Sequence, residues 1–349
     1  MSNLICRHYK ESDYFIFFDQ ENGTFIRYGR DDVDPFHNVS GPELLDISIT
    51  NFCERGCEFC YRQSHKGGKF MALEDYRLVI DQAKKVGVTQ VALGGGNPNQ
   101  HPEFTNILRV TRESNIVPSY TTNGQGMTDD IYRATKELCG AMAVSWYEPY
   151  TEALEVIGQA KNFNIKINIH YLLSDSTISK AIDLLENRQD ILKDINAVVF
   201  LNYKPIHSPK SLCLSDCEKI NYFLKLTSNL KTCKVGFDSC MISYLTIIKD
   251  NIVLETAEFC EAGRFSAFVS EDLLFYPCSF LNDVSLNGIN LKTTTMTDGW
   301  KNGEEFIKIR ERLKTPGNQA FPIKACEQCS SYAFCHGGCQ FFDINRCRQ

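Results

Sequence analysis

Apolar and polar positions alternate with two different periods along this chain, and the switches between them mark its elements. Near the N-terminus, Tyr14-Phe15-Ile16-Phe17-Phe18 and Thr24-Phe25-Ile26-Arg27-Tyr28 flank Asn22-Gly23. Asn-Gly tolerates the positive φ angles of a tight turn, so the segment predicts a β-hairpin. Residues 1–45 read as a cap over one end of the main domain, too short for a separate peptide-binding domain. From residue 46 to about 237 the strand and helix periods take turns. Strand patterns fall at 46–50, 90–93, 116–121, 141–146, 165–172 and 197–203. Between them Leu73, Tyr76, Ile80 and Ala83 share a helical face that stops at Gly87. Ile131, Ala134 and Leu138 share another, entered by Thr128-Asp129-Asp130 and stopped by Gly140. Ser176 precedes Ile178, Ala181, Ile182 and Leu185, and Ser215-Asp216-Cys217-Glu218 reads as a capping box before Ile220, Phe223 and Leu224. Six βα units in succession imply an α/β fold whose parallel strands are joined by right-handed crossovers. A closed barrel of this kind needs eight. After Val235-Gly236-Phe237-Asp238-Ser239-Cys240 the alternation fades and cysteines dominate.

Composition narrows the function classes. The chain has 349 residues, 43% hydrophobic and 23% charged, enough to bury a full core. A net charge of −6 carries no electrostatic footprint for nucleic acid or an anionic membrane. Met1 to His8 lack the apolar core of a signal peptide, and no apolar run approaches a membrane span, Ala197 to Leu201 being among the longest. A cytoplasmic protein with no nucleic-acid or membrane partner is expected. Sixteen cysteines change that plain picture. A disulfide framework belongs to small secreted domains, so in a cytoplasmic chain clustered cysteines point to metal or redox chemistry.

The first cluster is Cys53-Glu54-Arg55-Gly56-Cys57-Glu58-Phe59-Cys60, directly after the apolar alternation 45–50. Three thiolates on one tight loop suit a metal or an iron–sulfur cluster. A closed zinc site takes four ligands, and only recruitment of His65 would supply the fourth here. Three ligands on a four-iron cluster leave one iron open; the alternatives are a structural metal knot or three unrelated thiols. The second field is Cys326-x2-Cys329-x5-Cys335-x3-Cys339 with Cys347 behind it and Cys260 and Cys278 ahead. Seven cysteines are four plus three: one zinc would strand three of them, whereas two iron–sulfur clusters use them all, one with a missing or non-cysteine ligand. The second strand ends in Gly94-Gly95-Gly96-Asn97-Pro98, where glycines let a backbone approach a ligand that a Cβ would block, or simply make a tight turn. Other strand ends offer Thr121, Thr122, Asn123, Gly124, Ser145, Asn168, His170, Asn202 and Lys204.

The loop spacing, C-x3-C-x-aromatic-C with Phe59 in the aromatic place, resembles the signature of the radical S-adenosylmethionine (AdoMet) superfamily. The resemblance implies a [4Fe-4S] cluster on Cys53, Cys57 and Cys60 whose open iron chelates AdoMet. Reductive cleavage then gives a 5′-deoxyadenosyl radical that takes a hydrogen atom from the substrate. It also implies a partial (β/α)6 TIM-like barrel with the cysteine loop at the C-terminal end of its first strand. Gly94 to Pro98 are similar to the family's Gly-Gly-Glu-Pro, which binds the methionyl amino group, with Asn97 in place of Glu. By position Asn123 and Ser145 would contact the ribose, the methionyl carboxylate or the substrate. The C-terminal field resembles the SPASM extension with its two auxiliary [4Fe-4S] clusters. Threaded that way, Cys326, Cys329, Cys335 and Cys347 would bind the outer cluster and Cys260, Cys278 and Cys339 the inner one. Leu273 stands where that family commonly has Gly. The expected organisation is an N-terminal hairpin (1–45), a radical AdoMet core (46–240) and a cysteine-rich SPASM domain (241–349), with three [4Fe-4S] clusters and AdoMet.

The resemblance implies maturation of a ribosomally made peptide, by cross-linking, thioether formation, epimerisation or side-chain oxidation, fed by an external electron donor of flavodoxin or ferredoxin type. The alternatives are a sulfatase-type protein or a small carbohydrate as substrate, or a non-catalytic iron–sulfur or zinc-binding protein. Ser279 follows Cys278 where the sulfatase-maturing kind uses Asp, which argues against that substrate. Of the remaining cysteines, Cys6, Cys139, Cys213, Cys217 and Cys233 are expected as small core residues. Cys240 is the exception, with three roles open: fourth ligand of the inner cluster, thiol hydrogen donor to a substrate radical, or buried structural thiol.

Overall fold

The computed structural model describes residues 4–21, 23–30, 33–207, 209–253, 256–283, 287–316 and 324–348. Along the chain come β1 (Leu4–Tyr9), β2 (Tyr14–Asp19), β3 (Phe25–Gly29) and β4 (Leu44–Thr50). The alternating series follows: α1 (Leu73–Val86), β5 (Gln90–Gly95), α2 (Phe104–Glu113), β6 (Val117–Thr122), α3 (Asp129–Leu138), β7 (Ala141–Ser145), α4 (Thr151–Asn162) and β8 (Ile167–Leu173). It continues with α5 (Ile178–Asn187), α6 (Gln189–Leu192), β9 (Ala197–Asn202), α7 (Cys217–Asn229) and β10 (Lys234–Phe237). Beyond it lie α8 (Ile242–Leu245), β11 (Ser266–Val269), β12 (Leu274–Tyr276), β13 (Ile289–Asn290), α9 (Met296–Asn302), α10 (Glu304–Lys314), α11 (Lys324–Glu327) and α12 (Tyr332–Cys335). Among the described residues no helix is long and apolar enough to cross a membrane.

The chain folds into two compact units. One comprises residues 1–142, 162–165 and 262–310. Its larger sheet runs β6-β5-β4-β11-β12-β13, with β4, β5 and β6 parallel. Strand β11 joins the free edge of β4 in parallel, Ser266 opposite Leu44, and β12 and β13 follow it antiparallel. Helix α1 buries Tyr76, Val79, Ile80, Ala83 and Val86, the face the 3.6-residue period predicts, and ends at Gly87 in left-handed conformation (φ 91°) with its N–H on the Ala83 and Lys84 carbonyls. Thr128 caps α3, its hydroxyl accepting from the Ile131 N–H at 3.4 Å.

The N-terminal segment is a three-stranded antiparallel sheet rather than a hairpin, because β1 adds to β2. The inward side of β1 carries Ile5, Arg7 and Tyr9, so an arginine interrupts the apolar alternation that would have announced it. Gly23 takes a positive φ of 79° as a turn requires, while Asn22 lies outside the described residues. The sheet packs Tyr9, Tyr14 and Ile16 on Phe265. Buried Glu43 accepts from the Tyr14 hydroxyl at 2.6 Å and from Arg27 Nε at 2.9 Å, and the guanidinium lies 3.8 Å from the Phe265 ring centre.

The other unit comprises residues 143–161, 166–261 and 311–349. Strands β8, β9 and β10 are parallel, and Phe200 packs edge-on against Phe223 of α7 at 4.7 Å. The cap of α7 is Asp216, which accepts from the Lys219 N–H at 3.0 Å. The expected capping box one residue earlier does not form, because the backbone N–H and hydroxyl of Ser215 are both held by Asp175. Likewise Thr177, not Ser176, stands at the N-cap of α5.

Candidate active site

Strand β4 delivers the chain into the three-cysteine loop, and the loop is pinned at its base. Thr50 Oγ1 donates to the Lys69 carbonyl at 2.7 Å and accepts from the Phe52 N–H at 2.8 Å, closing the loop from 51 to 69. Within it, Cys53 N–H reaches the His65 carbonyl at 3.2 Å and Cys60 N–H the Cys57 carbonyl at 3.1 Å. Gly56 turns the chain with φ 61° and has open space on the side where a Cβ would stand. Cys53 and Cys60 both lie within electrostatic reach of Cys57. Burial pushes the Cys57 thiol up; the Arg55 guanidinium opposes this, and Cys60 and Cys53 add to it. Three cysteines within eight positions on one pinned loop are a donor set of the kind that holds an iron–sulfur cluster through three sulfurs. Phe59 is 36% exposed on the same loop.

The glycines after β5 form the floor of this loop. A Cβ on Gly95 would stand 2.0 Å from the Thr50 carbonyl oxygen, and one on Gly96 2.0 Å from that of Phe52. Gly94 differs: among the described residues outside its chain neighbours, nothing lies within 4 Å of its would-be Cβ. Asn97 is fully buried. Its backbone N–H donates to the Phe52 carbonyl at 2.9 Å and its amide to the Gln125 carbonyl at 2.8 Å. Its side-chain oxygen accepts from the Asn123 N–H at 3.1 Å and the Thr122 hydroxyl at 3.2 Å. Asn97 is thus a strut between the ends of β5 and β6. Asn123 reaches the cluster loop directly, its amide 3.4 Å from Cys53 Sγ. His101 stays neutral: burial lowers its pKa, Nδ1 accepts from the Glu103 N–H, and Nε2 donates to the Met71 carbonyl at 2.9 Å.

Sequence reasoning missed the residues that brace this loop from the β11–β12 turn. Glu271 is buried and accepts from Arg62 Nη2 at 2.6 Å and from the Ser48 hydroxyl at 2.7 Å, and Lys69 pairs with Asp272 beside it. Leu273 completes that turn with a left-handed backbone, φ 62°, and a buried side chain. The position expected to hold Gly does demand a positive φ, and Leu supplies it at a steric cost. Cys278 follows β12 in this unit.

In the other unit, Cys335 is held up to about 12 by burial, then by Cys347, Cys326 and Cys329 nearby, with the Gly337 N–H opposing. The other three thiols expected on the outer cluster thus lie within electrostatic reach of Cys335. Cys339 is buried and hydrogen-bonded to Cys240. Lys204, 6% exposed, pairs with Asp238. Burial alone would lower its pKa, but Asp238, Cys240 and Cys339 outweigh that and raise it. Cys260 is buried, Ser145 half-buried at the end of β7, and the Asn168 amide oxygen is taken by Asn196 at 2.8 Å. Burial lowers the pKa of His170 to about 4. Among the remaining cysteines Cys213 is buried as expected. Cys6 and Cys217 are not core residues: Cys6 points outward on β1, and Cys217 opens α7 at the surface.

A parallel strand–helix series carrying three thiols on the loop after its first strand, followed along the sequence by a cysteine-rich region, is the arrangement that the radical AdoMet resemblance implies. A profile for the Radical SAM superfamily matches residues 47–188. The GTP 3′,8-cyclase of Photorhabdus laumondii is 29% identical over 155 residues, 42% of this chain and 47% of that protein, so the chain spans about half of that relative. Mycofactocin maturase MftC of Mycobacterium ulcerans is 22% identical over 321 residues, 87% of this chain and 84% of that protein. Streptococcus suis SuiB bound to precursor peptide SuiA superposes with a TM-score of 0.76 at 15% identity, over 99% of each chain. Residues 47–188 therefore carry a radical AdoMet domain, and the chain as a whole is similar to the mycofactocin maturase in sequence and to SuiB in fold. Enzymes of this class bind a [4Fe-4S] cluster and AdoMet.

Proposed function

We propose that this protein modifies a peptide by radical AdoMet chemistry. The observation that carries the reading is the pinned loop of Cys53, Cys57 and Cys60, with Cys53 and Cys60 both within electrostatic reach of Cys57. These three would hold the first [4Fe-4S] cluster; bound together, cluster and AdoMet supply a 5′-deoxyadenosyl radical. Gly94 to Gly96, Asn123 and Phe59 would line the AdoMet site, with Asn97 shaping the loops around it. Residues 46–240 form the radical AdoMet core and 241–349 the auxiliary region. In that region Cys326, Cys329, Cys335 and Cys347 would hold one auxiliary cluster, and the remaining cysteines of the field, Cys339 among them, a second. Auxiliary clusters suit an oxidative outcome, because a substrate radical must lose an electron. The primary electron comes from an external flavodoxin- or ferredoxin-type donor.

Near full-length similarity to a mycofactocin maturase, and to a structure holding a precursor peptide, supports a ribosomally made peptide as substrate, with cross-linking, thioether formation, epimerisation or side-chain oxidation as the outcome. The partial similarity to a GTP cyclase favours a small molecule but reaches only half of that protein. The test is anaerobic reconstitution. The parent should carry about twelve iron and twelve sulfide and release 5′-deoxyadenosine from AdoMet, and Cys53, Cys57 and Cys60 changed together to Ala should leave about eight iron and no cleavage. Zinc in place of iron and sulfide overturns the reading.

A further inference from the structure

We infer that Cys240 is a ligand of the same iron–sulfur site as Cys339, and that Lys204 is the cation offsetting the charge of that site. The inference rests on the reading of Cys339 as an auxiliary-cluster ligand. The family pattern supplies three cysteines there, whereas a four-iron cluster is ordinarily held by four.

Both cysteines sit on loops held by hydrogen bonds of the protein itself. Cys240 lies in the turn after β10, where the Asp238 N–H donates to the Phe200 carbonyl at 3.0 Å and the Met241 N–H to the Asp238 carbonyl at 2.9 Å. Asn202, at the end of β9, donates its backbone N–H to Asp238 Oδ1 at 3.2 Å and its amide to the Cys240 carbonyl at 3.3 Å. On the other side, Gly337 and Gly338 take φ of 81° and 70°, turning the chain sharply between Cys335 and Cys339. Fully buried Asn345 closes that turn, accepting from the Cys339 N–H at 2.9 Å and donating to the Gly337 carbonyl at 3.0 Å. The Tyr244 hydroxyl then donates to the Ile344 carbonyl at 3.1 Å, and the Arg346 N–H to the Ser243 hydroxyl at 3.2 Å, so the loop of Cys339 is tied to the segment just after Cys240.

The two sulfurs meet in a packed apolar setting of Tyr203, Cys213, Ile344, Phe341 and Phe342. A thiol that hands a hydrogen atom to a substrate radical must stay uncoordinated and face the substrate. Cys240 instead faces Cys339. Thiolates in such a setting are costly unless a metal and a nearby cation share their charge. Lys204 provides that cation. Its ammonium is buried, fixed by Asp238, and within electrostatic reach of both sulfurs. Charge near a cluster is one of the levers that set its reduction potential, and a buried ammonium raises it.

The test uses the full chain with Cys53, Cys57 and Cys60 changed to Ala, so that only auxiliary clusters contribute to the spectra. In this background Cys240→Ser and Cys240→Ala should each change the electron paramagnetic resonance signature of one cluster, or lose its iron. Lys204→Met should lower the midpoint potential of that same signal, and Lys204→Arg should keep it near the parent value. The lysine pair gives a readout that does not depend on the cysteine variants folding, and a merely structural lysine would not move a potential. The inference is overturned if both Cys240 variants keep the parent spectrum and iron while Cys339→Ala alters them. If Cys339→Ala alters nothing either, the auxiliary-cluster reading itself has failed and this inference fails with it.

Discussion

Asn97→Glu restores the residue that the family resemblance leads one to expect, and the structure predicts that it harms the protein. The side chain is fully buried and each polar atom has a task. Its amide donates to the Gln125 carbonyl at 2.8 Å, and a carboxylate there places oxygen against oxygen. The Asn123 N–H and Thr122 hydroxyl would still donate, and bonds to a charged acceptor are worth about 1.5–3 kcal/mol. Against that stand several kcal/mol for burying an unpaired charge and about 1–3 kcal/mol for an extra methylene in a filled site. The net expectation is a loss of roughly 2–4 kcal/mol, read by denaturant unfolding under anaerobic conditions. A carboxyl buried in this way has a folded-state pKa above its unfolded value. The variant's deficit should therefore be smallest at acid pH and grow as pH rises through the folded-state pKa. Calorimetry of AdoMet binding by the folded fraction completes the test. If Asn97→Glu is as stable as the parent and binds AdoMet more tightly, the strut assignment is wrong and Asn97 faces the ligand.

Other consequences are equally direct. Glu271→Gln removes the charge facing buried Arg62 and should cost about 3–5 kcal/mol in unfolding experiments, while Glu271→Asp should recover part of it. Leu273→Ala loses the buried side chain yet keeps the left-handed strain, whereas Leu273→Gly loses both; both should be less stable than the parent, but Gly should exceed Ala by about 1 kcal/mol, and the reverse order would refute the turn geometry. His170 has a folded pKa of about 4 against an ordinary value near 6.5, so the unfolded chain takes the proton first and stability falls as pH drops through that window. His170→Gln should flatten the fall by at most roughly 3 kcal/mol, measured as the parent-minus-variant difference in unfolding between neutral pH and pH 4.

What the amino-acid sequence discloses and what it withholds divide along a physical line. The strands of the alternating series and the face of α1 were legible because burial imposes a period on neighbouring residues. The three-cysteine loop was legible because its donors lie within eight positions, Cys53 to Cys60. Strands β11, β12 and β13 are four, three and two residues long, too short to show any period. The brace on the cluster loop joins residues 209 and 223 positions apart, Arg62 and Ser48 with Glu271, and nothing local marks such a pair. Lys204 stood out as a polar strand end, but its partner Asp238 did not.

The glycines after β5 show a subtler limit, since one signal has two causes. Glycine after a strand means that something comes too close for a Cβ, and that something can be a ligand or the chain itself. At Gly95 and Gly96 it is the chain: a methyl group would stand 2.0 Å from the Thr50 and Phe52 carbonyl oxygens, so these two residues let β5 support the cysteine loop. At Gly94 no described residue outside its chain neighbours stands within 4 Å of where a Cβ would be. Of the three, Gly94 is where an Ala substitution tests ligand approach without disturbing the loop. Gly94→Ala should leave stability nearly unchanged and weaken AdoMet binding, whereas Gly95→Ala and Gly96→Ala should first cost the loop its geometry and with it the iron. If Gly94→Ala binds AdoMet as the parent does, the cofactor does not lie against Gly94.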